Sequence, residues 1–328
     1  MKKFIFYILY LIKFHKILIF IKKITKDNNI ISLMFHRIEP EFEGFWPAIN
    51  KKNFENLILL LKKNTNIIDI KSINTKVKDN KINIIITFDD GYKDFIQNAI
   101  PILKKNNISA NMNICPELIE KKILPWTQII NYLLFNKNKN LIKLLIKNNI
   151  EVTNIKKLNE KRFNNICLMI HKFNKDKYRK FINDLLMINI NPIDELMNWH
   201  DINKCISSGV TIGNHSANHL NIHQLNRKDL KDEIILSNIK IEKKTEKKIE
   251  IFSVPNGKYD NESLEIIKKK YNYILLSEEG RDEIKHSKNC YLINRINISK
   301  NDIYEEFFRL LGFHNLIKKL IFFKFFKI

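Results

Sequence analysis

Short runs of β-forming residues alternate with amphipathic helical segments along most of this chain. The predicted strands cover residues 31–37, 84–88, 110–115, 211–215, 251–254, 273–277 and 291–298. Predicted helices over 54–63, 95–106, 228–244 and 262–270 carry apolar residues at three- and four-residue spacing. Because strands that alternate with helices pair in parallel, the pattern predicts an α/β fold with a parallel sheet or barrel.

One region departs from this alternation. Between about residues 117 and 199 the pattern is helical and polar without a clear strand, which predicts a mainly helical insertion after the third strand. We divide the chain into a basic hydrophobic N-terminal segment 1–25, expected to form a helix on a membrane surface, a domain 26–300 that contains the insertion over about 117–199, and a basic amphipathic C-terminal tail 301–328.

Composition excludes several classes of protein. The 328 residues are 45% hydrophobic, which is ample for a core, and the net charge is +22. That charge comes mostly from dispersed lysines without a nucleic-acid-binding motif, so we predict no nucleic-acid partner. The four cysteines show no paired spacing and are expected to be buried thiols.

Both ends of the chain interleave apolar residues with lysine. The N-terminal apolar run over residues 4–12 is short for a membrane span, and Lys13 and Lys16 would lie near the middle of a span over 4–21. No small-residue cleavage site follows. These ends predict peripheral attachment to an anionic membrane surface, and hence a membrane-associated protein; the alternative is that each end packs on the core as an ordinary helix.

Two adjacent carboxylates, Asp89 and Asp90, end the apolar run of residues 84–88. Mutual repulsion and desolvation oppose ionisation of such a pair unless a cation or a shared proton compensates. The pair alone does not decide between these two.

Two further motifs follow strand-like runs. His215 and His219, four residues apart, can face one ligand if the chain turns helically after the strand. A Pro-Asn-Gly turn at 255–257 follows another strand. In a barrel, the carboxyl ends of the strands form the face that carries active sites. One carboxylate and two imidazoles there suit a divalent metal ion, which favours the cation over the shared proton.

These motifs resemble those of the NodB-like polysaccharide deacetylases of carbohydrate esterase family four. The resemblance extends from about residue 31 to residue 298 and is strongest in TFDDG at 87–91 and HSANH at 215–219. Weaker matches are MFHR at 34–37, LPW at 124–126, WHDI at 199–202 and FSVPNGKYD at 252–260.

The resemblance implies a distorted (β/α) barrel of about seven strands that hydrolyses acetyl groups on a polysaccharide. It assigns Asp89 as the catalytic base and Asp90, His215 and His219 as ligands of a divalent metal, with zinc expected and cobalt or nickel as alternatives. The implied substrate is an N-acetylated aminosugar of a cell-surface or envelope polysaccharide, or a lipid-linked glycan.

The chain departs from the family pattern at two positions, so that the cation beside Asp89 and the general acid must come from other residues. Typical members carry an Arg in the third motif and a late Leu-x-x-His, and this chain has neither. Arg295 can supply the cation beside Asp89, or can form a purely structural salt bridge. His36 is the histidine best placed to act as the missing acid or to orient Asp89, and a structural hydrogen bond is the alternative.

Other functions fit the sequence less well. The altered third motif would also suit a catalytically impaired carbohydrate-binding protein of the same fold.

His200 and Asp201 suggest a phosphohydrolase, but the further histidines and aspartate that such a site needs are missing. Asp201 is better explained as a residue at a helix N-terminus.

Overall fold

The structure, a computed structural model, describes residues 2–24, 29–46, 48–78, 81–152, 158–190, 195–277, 284–287, 289–298, 302–314 and 316–317. The strands in these ranges are β1 (Ile30–Phe35), β2 (Asn66–Ile67), β3 (Asn83–Phe88), β4 (Asn111–Ile114), β5 (Thr211–Asn214), β6 (Ile251–Ser253), β7 (Tyr273–Leu276), β8 (Ile284–Ser287) and β9 (Cys290–Asn297).

Seven parallel strands of the described chain form a closed barrel. Their order is β1, β3, β4, β5, β6, β7 and β9, and β9 pairs back onto β1 with Arg295 opposite Ser32. The short β2 pairs with the start of β3, and β8 forms an antiparallel hairpin with β9. The predicted parallel (β/α) barrel of about seven strands is therefore confirmed.

The two-residue period of the strands divides the barrel interior into an apolar half and a polar half. Ile85, Ile251 and Ile293 belong to a small buried cluster separate from the main core. Residues two positions further along each strand share that face, so the next layer is polar: Thr87, Ser253 and Arg295, followed by Asp89. The main core lies between the strands and the helices around them.

The helices are α1 (Lys2–Leu11), α2 (Phe14–Ile24), α3 (Lys51–Asn64), α4 (Ile100–Lys105), α5 (Pro116–Lys121), α6 (Trp126–Phe135), α7 (Lys139–Lys147), α8 (Glu160–Ile170), α9 (Lys175–Leu186), α10 (Trp199–Ser207), α11 (Arg227–Lys231), α12 (Ser237–Thr245), α13 (Asn261–Lys270) and α14 (Ile303–Leu310). Helices α5 to α9 and the start of α10 form the predicted helical insertion.

Two of the predicted helices contain π-helical turns. Phe95–Ala99 precedes α4, and Asp232–Leu236 separates α11 from α12. Side-chain caps define other helix starts: the Asn50 side chain accepts from the amide of Asn53 at the start of α3, and Asp260 caps α13 in the same way through Ser263.

The N-terminal segment forms two helices, and the sequence predicted one. Lys13 has a φ of 60° at the break, where α1 ends and α2 begins. Among the described residues no single helix is long and apolar enough to span a membrane; only Phe4–Leu11 and Phe14–Lys22 taken together are, and they are bent by 76°.

The predicted C-terminal tail begins with a packed helix. In α14 the side chains of Phe307 and Phe308 are fully buried, because the helix packs against α1 and α3. This part of the segment 301–328 is thus integrated into the fold, while residues 318–328 lie outside the described residues.

Candidate active site

The paired aspartates lie at the carboxyl end of β3. Asp89 continues the strand direction and its amide donates to the carbonyl of Phe35 on β1, at 3.0 Å. Asp90 and Gly91 then both adopt positive φ, 75° and 83°. This turn gives the two neighbouring carboxylates different surroundings, because successive residues leave the strand on different faces.

Four hydrogen bonds orient the Asp89 carboxylate. Arg295 donates from Nη1 to Oδ1 at 2.9 Å and from Nη2 to Oδ2 at 2.7 Å. Asn113 on β4 donates to Oδ1 at 2.7 Å, and the Ser253 hydroxyl on β6 donates to Oδ2 at 3.1 Å. Strands from across the barrel thus hold one carboxylate in a fixed orientation.

The Arg295 guanidinium is fixed as well. It donates to the carbonyl of Leu276 at 3.3 Å, to the Thr87 hydroxyl at 3.1 Å and to the Ser253 hydroxyl at 2.8 Å. Thr87 in turn donates to the carbonyl of Leu33 at 2.7 Å. The sequence left open whether Arg295 faces Asp89 at all, and the structure places it there, buried with the carboxylate.

The Arg295 charge dominates the ionisation of Asp89. Burial by itself would raise the pKa of this carboxyl, but the charge and hydrogen bonds of Arg295, with a further contribution from His215, hold that pKa well below its usual range. Asp89 is therefore an anion at neutral pH, positioned as a hydrogen-bond acceptor.

Asp90 has the opposite environment. Both of its carboxylate oxygens are buried and form no hydrogen bond with acceptable geometry. Oδ1 lies 3.4 Å from Nε2 of His215 and 3.3 Å from Nε2 of His219. The ligand atoms of these three residues all lie within 4.8 Å of one another. An unpartnered buried carboxylate facing two imidazoles fits a divalent cation well, because a buried charge needs such compensation.

The two histidines present the right nitrogen atoms. Nδ1 of His215 lies 2.8 Å from the carbonyl oxygen of Ser253 and donates to it in the tautomer that carries the proton on Nδ1. In that tautomer the lone pair of Nε2, beside Asp90, is available to a cation. Burial lowers the pKa of His219 to about 4, so its ring is neutral at pH 7. Burial also acts to lower the pKa of His215, but the charges of Asp89 and Asp90 outweigh it and raise that pKa. Neutral imidazoles are the form that binds metals.

The loop that carries the two histidines is fixed by Glu233. Its carboxylate accepts from the backbone amide of Asn218 at 2.9 Å and from the Asn218 side chain at 2.7 Å. Ser216 and His219 both have positive φ, 63° and 55°. These strained positions are held by the surrounding contacts, as is common where a loop must aim ligands.

Gly213 on β5 leaves room for Asn113. A Cβ atom at this position would lie 2.1 Å from the Asn113 side-chain oxygen and 3.1 Å from Ile251. Any side chain there would displace the Asn113 amide that donates to Asp89. The absence of a side chain at Gly213 therefore keeps Asn113 of the neighbouring strand in place.

His36 follows β1 and lines the same cavity as Asp89, His215 and His219, which has a volume of about 610 Å³. Its ring packs against Trp46, with centroids 4.8 Å apart. The Trp46 loop is held by Arg37, which donates to the carbonyls of Phe42 at 2.7 Å and Trp46 at 2.8 Å. Burial lowers the pKa of His36.

The helical insertion supplies a wall of this cavity, which the sequence did not predict. Phe163, Asn164, Cys167 and Leu168 lie on one face of α8, and His171 follows at its end. Residues at spacings of one, four and five lie on one face of a helix, but nothing in the sequence indicates what that face contacts.

The sequence analysis also missed Asn113 and Ser253 as partners of Asp89. Asn113 could have been found, because an asparagine inside a fully buried strand needs a hydrogen-bond partner.

Other predictions from the sequence are settled by the same structure. All four cysteines are free and buried. Asp201 forms a capping box with Asn198 at the start of α10, as expected of a helix N-terminal residue, and His200 is exposed on that helix. These two residues are thus separate from the Asp90 cluster.

Comparison with known proteins decides the family. The sequence profile described as "Polysaccharide deacetylase" matches residues 76–273, more than half of the chain and the part that includes both aspartates and both histidines. The chain belongs to the polysaccharide deacetylase family. No curated protein sequence matches it significantly.

Solved structures agree on the fold. A deacetylase, PplD, from Streptococcus pyogenes in complex with acetate is 16% identical, with a TM-score of 0.55 over 86% of this chain and 97% of the other. A Bacillus cereus polysaccharide deacetylase is 18% identical, with a TM-score of 0.55 over 86% and 68%. IcaB from Ammonifex degensii is 12% identical, with a TM-score of 0.54 over 86% and 96%. At these identities the likeness concerns the NodB-like barrel fold.

Proposed function

We propose that this polysaccharide deacetylase family member is an active metal-dependent hydrolase that removes acetyl groups, specifically N-acetyl groups of aminosugars. The observation that carries the proposal is the contrast between its two aspartates. Asp89 is held by four donors, while Asp90 keeps both oxygens unpartnered beside two imidazoles. Such a contrast suits one carboxylate that moves a proton and one that binds a cation.

Asp90, His215 and His219 would hold the cation, with zinc expected and cobalt or nickel as alternatives. When bound there, a divalent ion supplies positive charge that polarises an acetyl carbonyl and acidifies a water molecule. Asp89 accepts the proton of the attacking water, and Arg295 keeps the carboxylate ionised and aimed.

The departing amine needs a proton, and we propose that His36 donates it, although burial lowers the pKa of this histidine. It lines the cavity beside Asp89 and is oriented by its contact with Trp46. This histidine would take the place of the late His that typical members carry. Transfer from Asp89 back to the amine is the competing route, and substitution of His36 separates the two.

The cavity supports a sugar as substrate. Its volume of about 610 Å³ falls in the range of sites for small organic ligands. Polar and charged side chains outnumber apolar ones in its lining, which suits the hydroxyl groups of a sugar. We propose an N-acetylated cell-surface or envelope polysaccharide, with a lipid-linked glycan as the form consistent with a membrane-associated enzyme.

Acetate release tests this proposal. Purified protein is stripped with a chelator, reloaded with zinc, cobalt or nickel, and incubated with N-acetylated oligosaccharides such as chitin fragments and N-acetylglucosamine polymers of other linkages. We expect release only after reloading and only with Asp89 intact. A reloaded protein that binds metal but releases no acetate from any of these would favour a catalytically impaired carbohydrate-binding protein, the alternative raised by the missing late His.

A further inference from the structure

The two N-terminal helices have an inner apolar face that packs on the domain. Phe6 of α1 and Leu18 of α2 are 5% and 3% exposed. The Phe6 ring lies 5.9 Å from that of Phe308 and 5.8 Å from that of Phe313. One buried apolar face of this kind is what an ordinary surface helix of a globular domain has.

The same helices also carry an apolar outer face. Its members are Phe4, Ile5, Tyr7, Ile8, Leu11, Ile12, Ile17, Phe20 and Ile21. Phe4, Ile12 and Phe20 are 66%, 65% and 62% exposed. The outer face holds nine of the 19 large hydrophobic side chains that are exposed in the described chain, within a stretch of only 18 residues.

Helices that are apolar all round are found where nonpolar material covers both faces. Here the domain covers the inner face, and no part of the described chain covers the outer one. A concentration of exposed apolar side chains of this kind marks a contact with a protein or a membrane.

The charge of the segment distinguishes these two partners. Residues 1–24 contain six lysines and no aspartate or glutamate. Lys13 and Lys16 are exposed between the apolar residues of the outer face. The centres of protein–protein interfaces are depleted of lysine, whereas lysines beside a lipid surface extend to anionic headgroups.

We propose that the outer face of α1 and α2 inserts in the plane of an anionic lipid bilayer. Each helix is about 15–17 Å long, which is roughly half the hydrocarbon thickness, so neither spans it alone. Because the inner faces stay packed on α14, both helices lie along the surface and hold the enzyme against it. This inference is independent of the proposed reaction.

Vesicle flotation with the full chain tests this docking. One vesicle preparation is pure phosphatidylcholine, and the other is an equal mixture of phosphatidylcholine and phosphatidylglycerol. We expect strong binding to the anionic vesicles that weakens at high salt, and weak binding to neutral ones.

Three variants locate the binding surface. F4S/L11S/F20S is expected to lower binding by at least about a hundredfold, because three large apolar side chains lose their burial in lipid. K13Q/K16Q should lower binding to anionic vesicles by about tenfold and leave neutral vesicles unaffected. The control L59S/L236S/I239S removes exposed aliphatic side chains elsewhere and should bind as the wild type does.

The unfolding midpoint of each variant checks that the fold is retained, since all these positions are exposed. Equal flotation of the wild type and F4S/L11S/F20S would overturn the proposal, as would failure of the wild type to float with anionic vesicles. It would also be overturned if the outer face instead joined two copies: the wild type would then elute as a dimer, F4S/L11S/F20S as a monomer, and lipid would bind neither.

Discussion

Arg295, on the last barrel strand, forms a bidentate ion pair with Asp89, which lies 206 residues earlier in the chain. The two Nη–Oδ distances are 2.9 and 2.7 Å, and both side chains are almost fully buried. In this chain, whose third motif has no arginine, β9 thus places an arginine against Asp89. The closed barrel makes this possible, since β9 pairs with β1 and only β1 then separates β9 from β3.

Removal of Arg295 should lower the free energy of unfolding. In R295M the Asp89 charge stays buried without its partner, which we expect to cost about 3–5 kcal/mol in the free energy of unfolding. The double variant D89N/R295M should recover a large part of that loss, because no uncompensated charge remains. Urea unfolding of the four proteins in the cycle measures this coupling.

A surface arginine provides the control for this cycle. Arg179 lies 3.4 Å from Asp229 and is 62% exposed, so R179M should change the free energy of unfolding by less than about 1 kcal/mol. If R295M proved as mild as R179M, the pairing of Arg295 with Asp89 would have no energetic weight.

Substitution of His36 should lower kcat and leave metal binding intact. We expect H36Q to lose about a hundredfold or more, the usual contribution of a positioned proton donor, and to lose the alkaline limb of the pH–rate profile. His171 lines the same cavity on the insertion side, so H171Q is the matched control and should keep kcat within a few fold. A change in KM alone for H36Q would indicate that His36 only binds substrate.

Leu168 of α8 should influence substrate affinity without affecting the fold. It is 49% exposed yet lines the cavity, whereas its neighbour Met169, 38% exposed, does not line it. L168R should raise KM for longer oligosaccharides with little change in kcat, and M169R should change neither. Equal kinetics for the two variants would show that this wall of the cavity does not contact the substrate.

His171 should make the protein less stable in mild acid. Burial, with smaller effects of the His223 and Lys258 charges, lowers the pKa of His171 to about 4. Below about pH 6.5 the unfolded chain therefore binds a proton on His171, whereas the folded chain binds it only near pH 4. The free energy of unfolding consequently falls as the pH drops from about 6.5 to about 4. The difference in unfolding free energy between wild type and H171Q, measured across that range, should change in this direction; a flat difference would contradict it.

Local patterns were enough to locate the strands and the candidate metal ligands. Each of the seven barrel strands was predicted to within two residues at either end. Asp90 and His215 lie within two residues of a strand end, and His219 is four residues after His215, so parallel pairing brings them to one end of the barrel.

Contacts set by tertiary packing could not be predicted in the same way. The α8 wall depends on how a helical insertion folds back over the barrel, which no local spacing encodes. The break at Lys13 was missed because the sequence around it continues a helical apolar pattern, and the hairpin of β8 with β9 was missed because Ile284–Ser287 is short and polar. Arg295 could be proposed beside Asp89 only because the family pattern requires a cation there.

The division of labour between the two aspartates is tested most directly by metal content. Wild type, D89N and D90N are reloaded with zinc, desalted and analysed for bound metal, with acetate release measured on the same samples. We predict that D89N keeps a single bound ion per chain and loses activity, while D90N loses both. Equal metal loss in the two variants, or full metal retention by D90N, would contradict the assignment of Asp90 to the cation and Asp89 to the proton.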